Sequence, residues 1–248
     1  MTTKIEWCQE TWNPITGCTP ISEGCQNCYA KRMACRLKGR YGYPDDDPFR
    51  VTFHPERLSQ PCLKWKKSRK IFVCSMGDLF HPDVKDEWIS SIWTEMGEHY
   101  GLNGEVQAMD SRPGHTYIIL TKRPQRAFDF LQSRYPAGWE KQNVWLGVTA
   151  ENQKRYDERW EVLKQIPASV RFVSFEPLLG QVDLRPWGPN PDWVITGAET
   201  GAGKRHAKPE WFESLRDQCI AANIPFFFKK DSNGDRFLGG HAYEEYPR

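Results

Sequence analysis

Cys18, Cys25 and Cys28 crowd into the stretch GCTPISEGCQNCYAKRMACRL, residues 17–37, with the spacing C-x6-C-x2-C. A closed structural zinc site takes four protein ligands. The next cysteine, Cys35, stands seven residues further on in a basic run that reads as helix, so no fourth thiol is close at hand. Three ligands with a position left open suit a reactive centre, and an iron–sulfur cluster held by three thiolates keeps one iron free to bind a small molecule. Cys8, Cys35, Cys62, Cys74 and Cys219 are scattered singly and read mostly as small buried hydrophobes.

Such a centre needs a scaffold that brings other polar groups to it. After residue 70 the sequence alternates short β-rich runs with helical patterns, which predicts a parallel sheet covered by crossover helices. The expected strands are 70–76, 116–122, 144–150, 171–177, 192–199 and 225–230. Their nearly continuous apolar character predicts burial on both faces. Helices are expected in VKDEWISSIWTEMGEHY, RPQRAFDFLQSRY, ENQKRYDERWEVLKQI and KPEWFESLRDQCIAA, the last with Pro209 suited to a first turn. With a first extended segment at 12–18 and a helix from about Asn27 to Lys38, the count reaches six or seven β/α units. The expected fold class is α/β, a partial (β/α)6-type barrel resembling a TIM barrel, in one domain over 1–248. A long loop, 39–69, is inserted after the first unit; a shorter excursion spans 101–115, and 231–248 reads as a C-terminal tail.

In such barrels the chemistry gathers at the C-terminal ends of the strands. There the sequence puts Ser75, Gly77 and Asp78, then Lys122 and Arg123, then Thr149, Glu151 and Asn152, then Glu176, then Glu199. Each has a local reading as well: Asp78 can cap a turn, Asn152 can begin a helix, and Lys122 with Arg123 can be solvated. Recurrence at successive strand ends favours a shared rim.

A compact three-cysteine loop after a first strand, opening a helix and followed by β/α units, resembles the radical S-adenosylmethionine (radical SAM) superfamily. The usual spacing there is C-x3-C-x2-C, and the first gap here is three residues longer. The phrases WNPITGC, GCQNCYA, VCSMGDLFHPDV, ILTKRP, WLGVTAEN, SFEPLLG and VITGAETG together resemble the phage-associated three-Cys-motif protein family, regarded as radical-SAM-like, over about residues 5 to 230. The resemblance implies that Cys18, Cys25 and Cys28 bind a 4Fe-4S cluster and that S-adenosyl-L-methionine (SAM) chelates the open iron. One electron then splits SAM into methionine and a 5′-deoxyadenosyl radical, which acts on an unknown substrate, by analogy a nucleotide or nucleic-acid base. It further implies that Ser75, Met76, Gly77 and Asp78 receive the methionyl amino group. Thr149 and Glu151 would hold the ribose, Gly197 would let the chain approach the cofactor, and Glu176 and Glu199 would complete the cofactor rim. An electron-donor protein or reductant is the implied partner; no catalytic residue is assigned.

Two other classes compete for these residues. A non-catalytic protein would use the cysteines for structural zinc and LKWKKSRK (63–70) to contact nucleic acid, with Trp65 as a stacking face. A metal-assisted hydrolase built on Asp78, Glu176 and Glu199 lacks the histidine pattern expected of one. The segment GAETGAGKRHAKP lacks the full phosphate-loop pattern, since Arg205 follows GAGK. A net charge of +2 is not the strongly basic balance of a protein that binds nucleic acid mainly through phosphates. The longest apolar runs, YIIL and IPFFF, are far short of the roughly 20 residues that cross a bilayer, and MTTKIEWCQETWN lacks a signal peptide's apolar segment. The expectation is a cytoplasmic protein with reduced thiols and no membrane partner.

Overall fold

The computed structural model describes residues 3, 5–97, 99–100, 106–107, 114–135, 143–184 and 188–247. The chain divides into two compact units, residues 1–19 with 30–119, and residues 20–29 with 120–248.

The first unit is built on parallel strands. β1 (Glu10–Trp12) ends at Asn13-Pro14, because proline has no N–H to continue a ladder. The chain then enters β2 (Ile15–Thr16). The extended segment expected at 12–18 is thus two short strands, displaced by the proline. Helix α1 (Tyr29–Leu37) follows the cysteines. Next come β3 (Thr52–Phe53), antiparallel to β2, and α2 (Gln60–Lys64). The inserted loop at 39–69 is therefore folded rather than a plain excursion. It is tied to the first segment by Trp12 Nε1 donating to Arg57 O (2.7 Å), Arg57 Nη1 donating to Asn13 O (3.0 Å), and the pair Thr16 Oγ1–His54 Nε2 (2.8 Å). β4 (Lys70–Val73) pairs parallel with β1, and its residues Lys70 to Val73 pair parallel with the start of β7 (Thr116–Thr121). β4 stops where Cys74 takes φ +57°, a left-handed conformation that breaks the strand. Between them α3 (Asp86–Glu95) ends before Gly97 at φ +103°. The helix expected to reach residue 100 is cut there, and β5 (His99–Tyr100) pairs with β6 (Val106–Gln107) instead. Most of the 101–115 excursion lies outside the described residues.

The second unit continues as α4 (Pro124–Arg134), β8 (Val144–Thr149), α5 (Gln153–Leu163), β9 (Val170–Phe175), β10 (Trp193–Thr196), α6 (Pro209–Ala221) and β11 (Phe226–Phe228). Strands β8, β9, β10 and β11 lie side by side in that order, and every pairing from β8 to β11 is parallel. All four are almost wholly buried, as their apolar runs predict. Trp193 fills this core between Trp145, Phe172 and Phe227. Gly147 on β8 faces the Phe172 ring so closely that any Cβ would overlap it. Parallel α/β organisation is present in both units. No helix among the described residues is long and apolar enough to cross a membrane.

Candidate metal and cofactor site

Cys18 lies in the first unit, where glycine and asparagine set its approach. Gly17 N donates to Met76 O (2.9 Å). Gly17 sits at φ +88°, with the Arg50 carbonyl where a Cβ would be. Gly77 is as constrained, since its Cβ would lie 2.8 Å from Gly17 O. The strand end carrying Cys18 is thereby pressed against the Ser75–Asp78 turn. That turn is anchored by Asn13 Oδ1, which accepts from Ser75 Oγ (3.1 Å) and Met76 N (2.9 Å). Asp78 is buried, and its Oδ1 accepts from Phe80 N (3.0 Å). Next to Cys18, Thr19 Oγ1 lies 2.8 Å from His81 Nε2. His81 Nδ1 accepts from Asp83 N (3.1 Å), so the neutral ring carries its proton on Nε2 and donates to Thr19. Burial pushes the Cys74 thiol up to about 12, which leaves it chemically inert.

Cys25 and Cys28 lie in the second unit, on a loop held by groups from the strand ends. Glu151 follows β8 and is fully buried. Its Oε1 accepts from Ser22 Oγ (2.6 Å) and pairs with the Lys122 ammonium, while Oε2 accepts from Arg159 Nη1 (3.1 Å). Arg159 also donates to Thr149 O (2.5 Å). Burial raises the Glu151 pKa, but the Lys122 and Arg159 charges outweigh it and hold the carboxyl below its ordinary range. Gly24 abuts this carboxylate with no room for a Cβ. Lys122 Nζ reaches beyond Glu151 to Ser22 Oγ (3.1 Å) and Cys25 Sγ (3.7 Å). The Cys25 thiol is raised by burial and lowered more strongly by Lys122 and by hydrogen bonds from the Ile21–Ser22 segment, so it ends below the ordinary thiol range.

Further contacts fix the same loop. Glu23 accepts from Arg155 Nε (2.9 Å) and Asn152 Nδ2 (3.2 Å), while Asn152 Oδ1 caps α5 at Arg155 N (3.1 Å). Asn27 Nδ2 donates to Glu199 Oε2 (2.9 Å) and Gly203 O (3.0 Å). Arg205 donates to the same carboxylate oxygen from its backbone N (2.8 Å) and Nε (2.9 Å). Burial opposes ionisation of Glu199, but the Arg205 and Asn27 bonds bring its pKa down to about 2. Glu176 Oε1 pairs with Lys229 Nζ (3.0 Å), beside Gly197, whose Cβ would lie 3.1 Å from that oxygen.

The structure therefore brings Thr149, Glu151, Cys25 and Lys122 into one network, Glu199 onto the same loop, and Glu176 next to Gly197. Ser75, Met76, Gly77 and Asp78 form one turn in the first unit. Asn13, Ser22, Asn27, Arg159 and Arg205 were not among the residues expected at the site. Ser22 and Asn27 lie within or beside the cysteine motif, which was a signal. Arg159 stands three residues after Tyr156 on the buried face of α5, an unusual place for a cation.

Among the described residues, no group of three or more His, Cys, Asp or Glu side chains gathers into a site that could hold a metal ion. A three-thiolate cluster makes a different demand, because each thiolate binds its own iron. The donor set fits such a group chemically: three thiols occur in eleven consecutive residues, one of them favoured as thiolate by an adjacent ammonium.

The model of one protein family, described as "Protein of unknown function (DUF5131)", matches residues 2–236. No curated protein matches the sequence. Two solved structures of spore photoproduct lyase are similar at 9% identity. One is complexed with dinucleoside spore photoproduct (TM-score 0.49), and the other is a mutant with phenylalanine in place of one tyrosine (TM-score 0.47). Each alignment covers 88% of this chain and 62% of the lyase, so the chain spans under two thirds of those proteins.

Proposed function

The chain belongs to the DUF5131 family, and for it we propose an iron–sulfur enzyme of radical SAM type with a 4Fe-4S cluster on Cys18, Cys25 and Cys28. The observation that carries the reading is the treatment of Cys25, a thiol in a three-cysteine motif met by Ser22 and by a largely buried lysine that favours its thiolate. Metal ligation requires that deprotonated form. When bound, the cluster and SAM would supply the chemistry the motifs imply, one-electron cleavage to methionine and a 5′-deoxyadenosyl radical. The chain's own task is to bind and orient. Ser75, Met76 and Gly77, with the buried and already oriented Asp78 carboxylate, would receive the amino-acid end of SAM. Thr149, Glu176 and Gly197, at the ends of β8, β9 and β10, would face the nucleoside end. Glu151 and Glu199 are already engaged by cations and by the cysteine loop, and serve as its anchors. A nucleotide or nucleic-acid base as substrate, and a donor protein or small reductant as partner, follow from the resemblance of the motifs.

Anaerobic reconstitution, iron and sulfide assay, and a search for 5′-deoxyadenosine after adding SAM and dithionite test this reading. Cys25→Ala is expected to lose the cluster, and Cys35→Ala and Cys62→Ala to keep it. Full iron retention in Cys25→Ala overturns the assignment. A colourless protein with one zinc would replace it with the zinc-stabilised nucleic-acid-binding alternative.

A further inference from the structure

We propose that Lys122 is a positioning residue that holds a fixed positive charge against the Cys25 side of the cluster and makes its one-electron reduction easier, with Glu151 as the anchor of that charge. The proposal rests on the cluster reading above. A lysine is costly to hold still. Its four-carbon stem is flexible, and an ammonium is placed only where other groups grip it. Here Glu151 and Ser22 both bind Nζ, leaving it 3.7 Å from Cys25 Sγ. Glu151 is itself immobile, because its second oxygen is taken by Arg159 from α5 and Gly24 closes the space beside it. A rigid relay therefore runs from α5 through Arg159 and Glu151 to Lys122, and ends on a sulfur proposed as an iron ligand.

The electrostatic consequence follows from the burial. Lys122 is 17% and Glu151 0% exposed at their side chains, so solvent screens the ammonium only weakly. Cluster potentials respond to net charge, to hydrogen bonds on the sulfurs and to exposure. In reduction one electron passes from an external low-potential reductant, here dithionite, and the site becomes one charge more negative with no bond made or broken. A cation donating a hydrogen bond to a ligand sulfur stabilises that more negative state. Glu151 thus works through Lys122, which accounts for both of its carboxylate oxygens without a ribose.

Wild type, Lys122→Arg, Lys122→Gln and the paired variant Lys122→Gln with Glu151→Gln are reconstituted anaerobically and assayed for iron and sulfide. They are then titrated with dithionite under paramagnetic resonance, with thermal melts to confirm folding. The expected result, read on the cluster-loaded fraction of each variant, is a more negative midpoint in Lys122→Gln and a midpoint near wild type in Lys122→Arg. If Lys122→Gln alone unfolds, the paired variant preserves the charge balance of the network and is expected to show a smaller negative shift, because the Glu151 charge it also removes opposes the effect of Lys122. A Lys122→Gln or paired-variant midpoint equal to wild type, with the cluster present, overturns the proposal and leaves the cluster reading standing. A wild-type protein that takes up no cluster removes both.

Discussion

Glu151 shows how much one buried residue can hold. It joins Lys122 and Arg159, two cations from separate elements, to the cysteine loop through Ser22. Removing one member of a buried ion pair strands its partners, which typically costs about 3–5 kcal/mol. Glu151→Ala is expected to lose stability in that range in urea unfolding, with Glu151→Gln intermediate because it keeps the shape and a hydrogen-bonding oxygen. A loss within about 0.5 kcal/mol, as at ordinary surface sites, would show that the network contributes little. This residue was legible as a strand-end carboxylate, but its partners were not. Nothing in the spacing of Ser22, Lys122 and Arg159 along the chain announces that they meet.

Among the elements, the cysteine loop and the start of α5 are one construction. Asn152 caps the helix and binds Glu23 from the loop. Asn152→Ala is expected to cost about 1 kcal/mol from the lost cap, measured by chemical unfolding. Gly147→Ala should cost about 1–3 kcal/mol, because the added methyl must displace the Phe172 ring from a closely packed strand pair. The strand and helix order was readable because buried parallel strands and amphipathic helices carry their own periodicities. Their ends were less so. Pro14, Cys74 at φ +57° and Gly97 decide where β1, β4 and α3 stop, and the Cys74 stop depends on a backbone conformation that its residue type does not announce.

Across the chain as a whole, acid should weaken the fold in a defined window. Glu199 and Glu23 both have pKa values brought down to about 2 from an ordinary 4.5. A depressed carboxylate contributes its stability above the unfolded-state value and loses it as the pH falls toward the folded-state value. Thermal midpoints are therefore expected to be level above about pH 5 and to fall from about 4.5 toward 2. The fall should be shallower in Glu199→Gln; an identical slope would mean that Arg205 and Asn27 add nothing in the folded state. Thiol labelling reports on the same native state. Cys74 and Cys219, buried and pushed up to about 12, should stay unmodified until the protein unfolds, while exposed Cys35 reacts.

The alternation of parallel strands and helices could be read along the chain, because apolar runs and helical periodicity are local properties. So could the isolation of three thiols in one short motif, since spacing is written in the residue order. That Lys122 turns inward to Cys25 rather than to solvent, and that Glu151 and Glu199 face the cysteine loop, came only with the folded arrangement. A charged side chain at a strand end has the same local signature whether solvated or buried. Only the packing of distant segments supplies the counter-charges that offset the cost of its burial.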